Sequence, residues 1–126
     1  MTPAEFDQAW QSRTAAIQDR AEEGLKGECR VDYGVYELDA AGFPVDNLDQ
    51  VAVEGRCRLI QKHDPFFGEG ADYRSEEVVS PTWKVVFALA NDMVGVTGDL
   101  HHGFLEGVNV LREEGGVKIV AFEMGS

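Results

Sequence analysis

The chain has 126 residues, enough for one domain that buries a core without disulfide staples. Its 44 % hydrophobic content is that of a folded protein and excludes general disorder. A net charge of -12 sets it against nucleic-acid phosphates and anionic membranes, so neither is an expected partner; a neutral or cationic partner, or simply a solvated acidic surface, fits the charge.

Thr2-Pro3-Ala4-Glu5 reads as an N-cap, a proline at the first helical position and a capping-box glutamate. Phe6, Trp10, Ile17, Ala21 and Leu25 then recur at helical spacing, with Asp7, Gln11, Gln18 and Glu22 on the opposite face. Gly24 or Gly27 ends this amphipathic helix. From Glu28 to Leu38 the pattern alternates, with Cys29, Val31, Tyr33 and Val35 on one face and a bulge near Gly34. Asp39 to Gly42 is a turn. Gln50 to Lys62 alternates most cleanly, with Val51, Val53, Cys57 and Leu59 on one face and Glu54, Arg56, Arg58 and Lys62 on the other. Such a strand belongs to an antiparallel sheet with one wet face. His63 to Tyr73 is a Gly- and Asp-rich loop carrying Phe66-Phe67. Ser80-Pro81 opens a second helix, apolar on most sides from Trp83 to Val94 and therefore buried on most sides. Two strands follow, about Leu100–Arg112 and Val117–Met124, joined at Glu113-Glu114-Gly115-Gly116.

Residues 1–126 thus form a single α+β domain: a curved antiparallel β-sheet, an N-terminal amphipathic helix and a second buried helix packed on it. The expected core contains Phe6, Trp10, Ile17, Val53, Leu59, Phe87, Ala90, Val108 and Phe122. Cys29 and Cys57 sit on apolar strand faces as buried thiols, or as one disulfide if their strands are neighbours. No signal peptide and no membrane-length apolar run is read, so a cytoplasmic location is the expectation.

The usual chemical signatures are missing. There is no phosphate-binding G-x-x-x-x-G-K-[ST] loop, and Gly68-Glu69-Gly70 lacks the third glycine of a dinucleotide fingerprint. No G-x-S-x-G elbow or calcium loop is present. No cofactor is implied. The strongest lead is Thr97 to Gly107, which holds two of the three histidines. Read as a strand from Leu100, it places His102, Phe104, Glu106, Val108 and Val110 on one face. A three-residue loop, Glu114-Gly115-Gly116, sets Val110 opposite Val120, Val108 opposite Phe122 and Glu106 opposite Met124. Glu106 and His102 are then the only ionisable groups on an apolar face. A carboxyl buried there is pushed up by desolvation, and an imidazole beside it completes a proton-transfer pair. Both are instead ordinary rim residues if that end of the sheet reaches water. Phe104, Trp83, Tyr33 and Phe122 are the ligand-lining candidates; plain core packing is the alternative for each. As metal ligands, His101 and His102 point to opposite faces of a strand, and His102 and Glu106 lie about 13 Å apart along it. Asp99 and His101, two residues apart, are placed for a carboxylate–imidazole contact.

An N-terminal helix followed by curved strands is similar in outline to the cystatin-like and NTF2-like folds. NTF2-like members hold ligands in a cone closed by the helix, with acidic or histidine side chains pointing inward. The resemblance is one of architecture, without a residue-level motif. A hotdog-like sheet wrapped around the helix at Trp83–Val94 accounts equally for that late buried helix.

The first functional expectation is a pocket protein that binds a small molecule or moves a proton with Glu106 and His102. The second is a non-catalytic module that self-associates, as a homodimer, through an exposed sheet face. A metal-binding role for Asp99, His101 and His102 ranks third. The environment of Glu106 separates the first two: a buried carboxyl indicates the pocket, a rim carboxyl the module.

Overall fold

A computed structural model describes all 126 residues. Helix α1, Pro3–Glu22, starts as its sequence predicts: the Thr2 hydroxyl accepts from the Glu5 N–H at 3.1 Å, and the Glu5 carboxylate accepts from the Thr2 N–H at 3.3 Å. Two-residue strands β1 (Asp32–Tyr33), β2 (Glu37–Leu38) and β3 (Pro44–Val45) follow, then β4 (Arg56–Gln61), β5 (Tyr73–Arg74) and β6 (Val78–Val79). Helix α2 is Trp83–Thr97, and the chain closes with β7 (Phe104–Glu114) and β8 (Val117–Gly125). The long strands expected at 28–38 and 50–62 are shorter than their alternation suggests. Pairing partners, rather than pattern, set strand length: Val51 makes only an isolated bridge to Thr82.

The fold is α+β, with two helices and a mixed sheet in the order β1-β7-β8-β4-β5, β6 also pairing with β4. The antiparallel expectation is corrected here. β7–β8 and β4's pairings with β5 and β6 are antiparallel, but β4–β8 and β1–β7 are parallel. The long excursion through β5, β6, α2 and β7 brings β8 back beside β4 in the same direction, as a parallel pair requires. β2 and β3 form a separate hairpin.

Helix α2 is capped by Thr82, not Ser80, the Thr82 hydroxyl accepting from the Val85 N–H. Ser80 has a φ of 44°, and its hydroxyl accepts from the Gly55 N–H at 2.8 Å, so it braces the preceding turn. One face of the sheet receives α2. Cys57, Leu59, Tyr73, Leu105, Val120 and Phe122 meet Val86, Phe87, Ala90 and Met93 there, and Ile17 and Ala21 of α1 complete the same core. Phe6 and Trp10, expected in that core, are only half-buried. They form a separate aromatic cluster: Phe6 stacks on Phe43 at 4.7 Å and Trp10 meets Tyr36 edge-on at 5.9 Å. The core tapers toward the N-terminus of α1, where only the β2–β3 hairpin covers it. Val108 is likewise half-buried, at the core margin. Cys29 and Cys57 are both free thiols: Cys29 lies in the segment leading into β1, and β7 and β8 separate β1 from β4.

Two amide side chains fasten the segment before β1. Gln18, assigned by periodicity to the wet face of α1, accepts from the Tyr33 N–H at 2.8 Å and donates to the Val31 carbonyl at 3.0 Å. Asn91 on α2 accepts from the Arg30 N–H at 2.6 Å and donates to the Glu28 carbonyl at 3.0 Å. Each takes the place of a strand partner for this backbone, which is buried at Val31 and Tyr33.

Candidate functional site

The end of α2 is where the chemistry-bearing residues gather, and glycine makes that possible. A Cβ on Gly68 would stand 1.9 Å from the Gly98 carbonyl oxygen, and one on Gly98 would stand 2.1 Å from that of Glu69. Only glycine lets the two backbones touch so closely. Gly68-Glu69-Gly70 is therefore a docking strip for the 63–72 loop, which accounts for its glycines without a phosphate. The Ala71 N–H donates to Val96 and the Leu100 N–H to Phe67, at 3.0 and 3.1 Å. His63 ties the loop to itself, its Nε2 lying 2.7 Å from the Gly68 carbonyl.

Between this loop, the end of α2 and strands β4 and β8 lies a cleft of about 380 Å³. Met93, Phe122 and Met124 supply its apolar surface; Gln61, Thr97 and His102 supply polar groups, with Lys62, Asp64 and Glu123 at its margin. Asp99 and His102 form one wall. Asp99 Oδ1 accepts from the N–H groups of His101 and His102 at 2.7 and 3.0 Å, and Oδ2 lies 2.8 Å from His102 Nδ1. Burial works to raise the Asp99 carboxyl, but these three donors outweigh it and hold it below the usual carboxylate range. A charged carboxylate only accepts, so His102 Nδ1 is its donor, and in the neutral ring Nε2 carries the lone pair. Nε2 has no partner within the chain, and the His102 side chain is one-third exposed, 33 %. Phe67 fixes the ring from the side, its centroid 4.6 Å away and nearly perpendicular.

The sequence-derived pair does not form. Glu106 is exposed, and its carboxylate lies where a Gly125 Cβ would be, 1.8 Å from it. That is the outer face of the sheet, since Gly125 pairs with Phe104 while core-facing Met124 pairs with Leu105. The cause is a bulge between Leu105 and Gly107. It inserts one residue, so Leu105 takes the inward position opposite Met124 that alternation assigns to Glu106. Beyond it, Val108 does oppose Phe122 and Val110 does oppose Val120. His102 precedes the strand, in a turn held by Asp99. It is the His102 ring, not that of His101, which meets the Asp99 carboxylate.

The four lining candidates divide. Phe122 is on the floor of the cleft with His102. Tyr33 and Phe104 instead line a shallower hollow of about 270 Å³ between α1 and β1, with Trp10, Gln18 and Tyr36. The Tyr33 hydroxyl is already committed to Asn47 at 2.6 Å, and burial raises its pKa. Trp83, half-buried at the start of α2, packs against the core and lines neither cleft. No three His, Cys, Asp or Glu side chains converge as a metal-holding group. Asp99 was singled out in the sequence as a partner for His101 and Phe67 as a conspicuous aromatic; what periodicity did not show is that Asp99, Phe67 and Thr97 meet His102 beside Gly98, the αL cap of α2. No helix is long and apolar enough to cross a membrane. No family model, curated protein or solved structure matches the chain.

Proposed function

We propose that the cleft at the end of α2 binds a small organic molecule and that His102, oriented by Asp99, exchanges a proton with it through Nε2. The observation that carries this reading is the unpartnered Nε2 on the cleft wall, with its other nitrogen held by a carboxylate. Asp99 takes the place beside His102 that alternation assigned to Glu106. A carboxylate–imidazole pair of this kind fixes the tautomer and stabilises the imidazolium that forms when the base takes a proton. The ligand's apolar part rests on Met93, Phe122 and Met124. Asp99 beside the ring and the net charge of -12 favour a neutral or cationic molecule over an anion.

Two probes of equal size test the reading, benzylamine and benzoate, added at millimolar concentration to isotope-labelled protein. The expected result is amide and side-chain shift changes at Phe67, Thr97, His102 and Phe122 with benzylamine, reduced by His102→Gln. Absence of shifts at these positions, or a stronger response to benzoate, overturns it.

The exposure of Glu106 favours a second reading, that of a self-associating module, because the carboxylate stands on a sheet face that α2 does not cover. The two readings concern different surfaces and are compatible in one molecule.

A further inference from the structure

The registers arrange the outer face of the sheet in rows. Across β7, β8 and β4 one row reads Arg112, Ile119, Arg58, and the next reads Asn109, Ala121, Ile60, extended by Arg74 on β5. Glu123 lies opposite Gly107, with Glu106 laid over Gly125 beside it, and Asp32 stands at the β1 edge next to Phe104. The face therefore has a cationic corner at the hairpin end and an acidic corner diagonally opposite. Arg56 and Arg58 on β4 and Arg74 on β5 occupy the first, with Arg112 across β8 on β7 at the same end; Glu77 pairs with Arg56 and Glu114 with Arg112. Asp32, Glu106 and Glu123 occupy the second, and none has an ion-pair partner within the chain. Lys62, just past β4, falls in the row of Glu123 and partly offsets the acidic corner. Between the corners run Ile119, Ala121 and Ile60. Ile119 is 4 % exposed although it is outside the core cluster, flanked in its row by two arginines whose stems have the length to shelter it.

Four of the eleven basic residues are thus gathered toward the hairpin end of one face of an otherwise acidic protein. We propose that this face docks a second copy of the chain, face to face about a two-fold axis. The axis lies in the plane of the face and crosses the diagonal joining the corners. Rotation about it places the cationic corner of each protomer on the acidic corner of its partner, and apolar centre on apolar centre. Any axis along that diagonal sets like charge on like. A diagonal axis also turns the strands of one sheet steeply across those of the other, the orthogonal form of sheet packing. An isologous contact needs this self-complementarity, because each patch must match its own rotated image. Three strands of six or more residues, flanked by the two-residue β1 and β5, give a face of roughly 350 Å². Two such faces bury less than a stable specific interface does, so the dimer is expected to be weak, micromolar at best.

Sedimentation velocity on the intact chain, from about 5 to 200 µM, tests the proposal. The wild type is expected to pass from monomer to dimer over that range, with association weakened by added sodium chloride. Glu106→Lys with Glu123→Lys makes both corners cationic; Arg74→Glu with Arg112→Glu makes both acidic. Each double variant alone should associate at least about tenfold more weakly, and an equimolar mixture of the two should dimerise again. A wild type that stays monomeric throughout overturns the proposal. So does a dimer that neither pair of substitutions weakens, or a mixture that stays monomeric while both variants are folded by circular dichroism. Should a variant fail to fold, the salt dependence of the wild type decides: association that salt leaves unchanged or strengthens overturns the charge-guided contact.

Discussion

The two faces of the central strands are made from the same stretch of chain, yet they follow different rules. On the covered face, Cys57, Leu59 and Val120 are fully buried against α2. One residue further along β4, Arg58 and Ile60 look outward and are only half-buried. The covered face is held by apolar contact, where each lost methylene is felt because the interior is close-packed. The outer face carries paired and unpaired charges whose worth depends on what stands opposite them. The first face makes the protein fold. The second leaves its charge pattern free to be selected for contacts outside the monomer.

The largest effect that tests this contrast is in the core. Leu59→Ala should cost about 2–5 kcal/mol in a urea titration, because it leaves a cavity beneath α2. A loss of less than about 1 kcal/mol would mean that α2 is not packed there as described.

The cleft margin lies between the extremes. Asp99→Asn removes the charge but keeps an oxygen acceptor, so the expected loss is about 1 kcal/mol at neutral pH. Because the folded-state pKa of Asp99 is lowered, its contribution is present above the unfolded carboxyl value. It is lost as pH falls through the folded value. Melts of wild type and Asp99→Asn should therefore be furthest apart near neutral pH and converge in acid. Curves that separate further in acid would reverse the assigned role of the carboxylate.

The smallest effect is on the outer face. Glu106→Gln, measured at a concentration where the chain is monomeric, should change stability by less than about 0.5 kcal/mol. A larger change would return Glu106 to the interior and break the distinction between the two faces.

How much of this was legible beforehand differs by residue. The capping box at Thr2 and Glu5, the buried α2 and the final hairpin all rest on interactions within a few residues, so sequence exposed them. The Glu106 assignment failed for a local reason that periodicity cannot reveal. Strict alternation assumes an unbroken ladder, and β7 is broken twice. The turn is a two-residue Gly115-Gly116 turn, with φ of 59° and 81°, instead of the three-residue loop expected. A bulge between Val110 and Arg112 compensates, which is why Val110 and Val108 still met their expected partners. The second bulge has no such compensation and turns Glu106 outward.

The sequence by itself determined the class of the fold, its two helices and the apolar faces that pack together, because capping, helical spacing and alternation act over short range. The tertiary structure alone decided the strand order and the parallel pairings of β4 with β8 and β1 with β7. It also decided that Asp99 is the carboxylate beside His102, and that Gln18 and Asn91 serve as strand partners. Those outcomes depend on groups distant in the chain, or on backbone turns, competing for the same unsatisfied donors and acceptors. That competition is resolved only when the whole chain closes over its core.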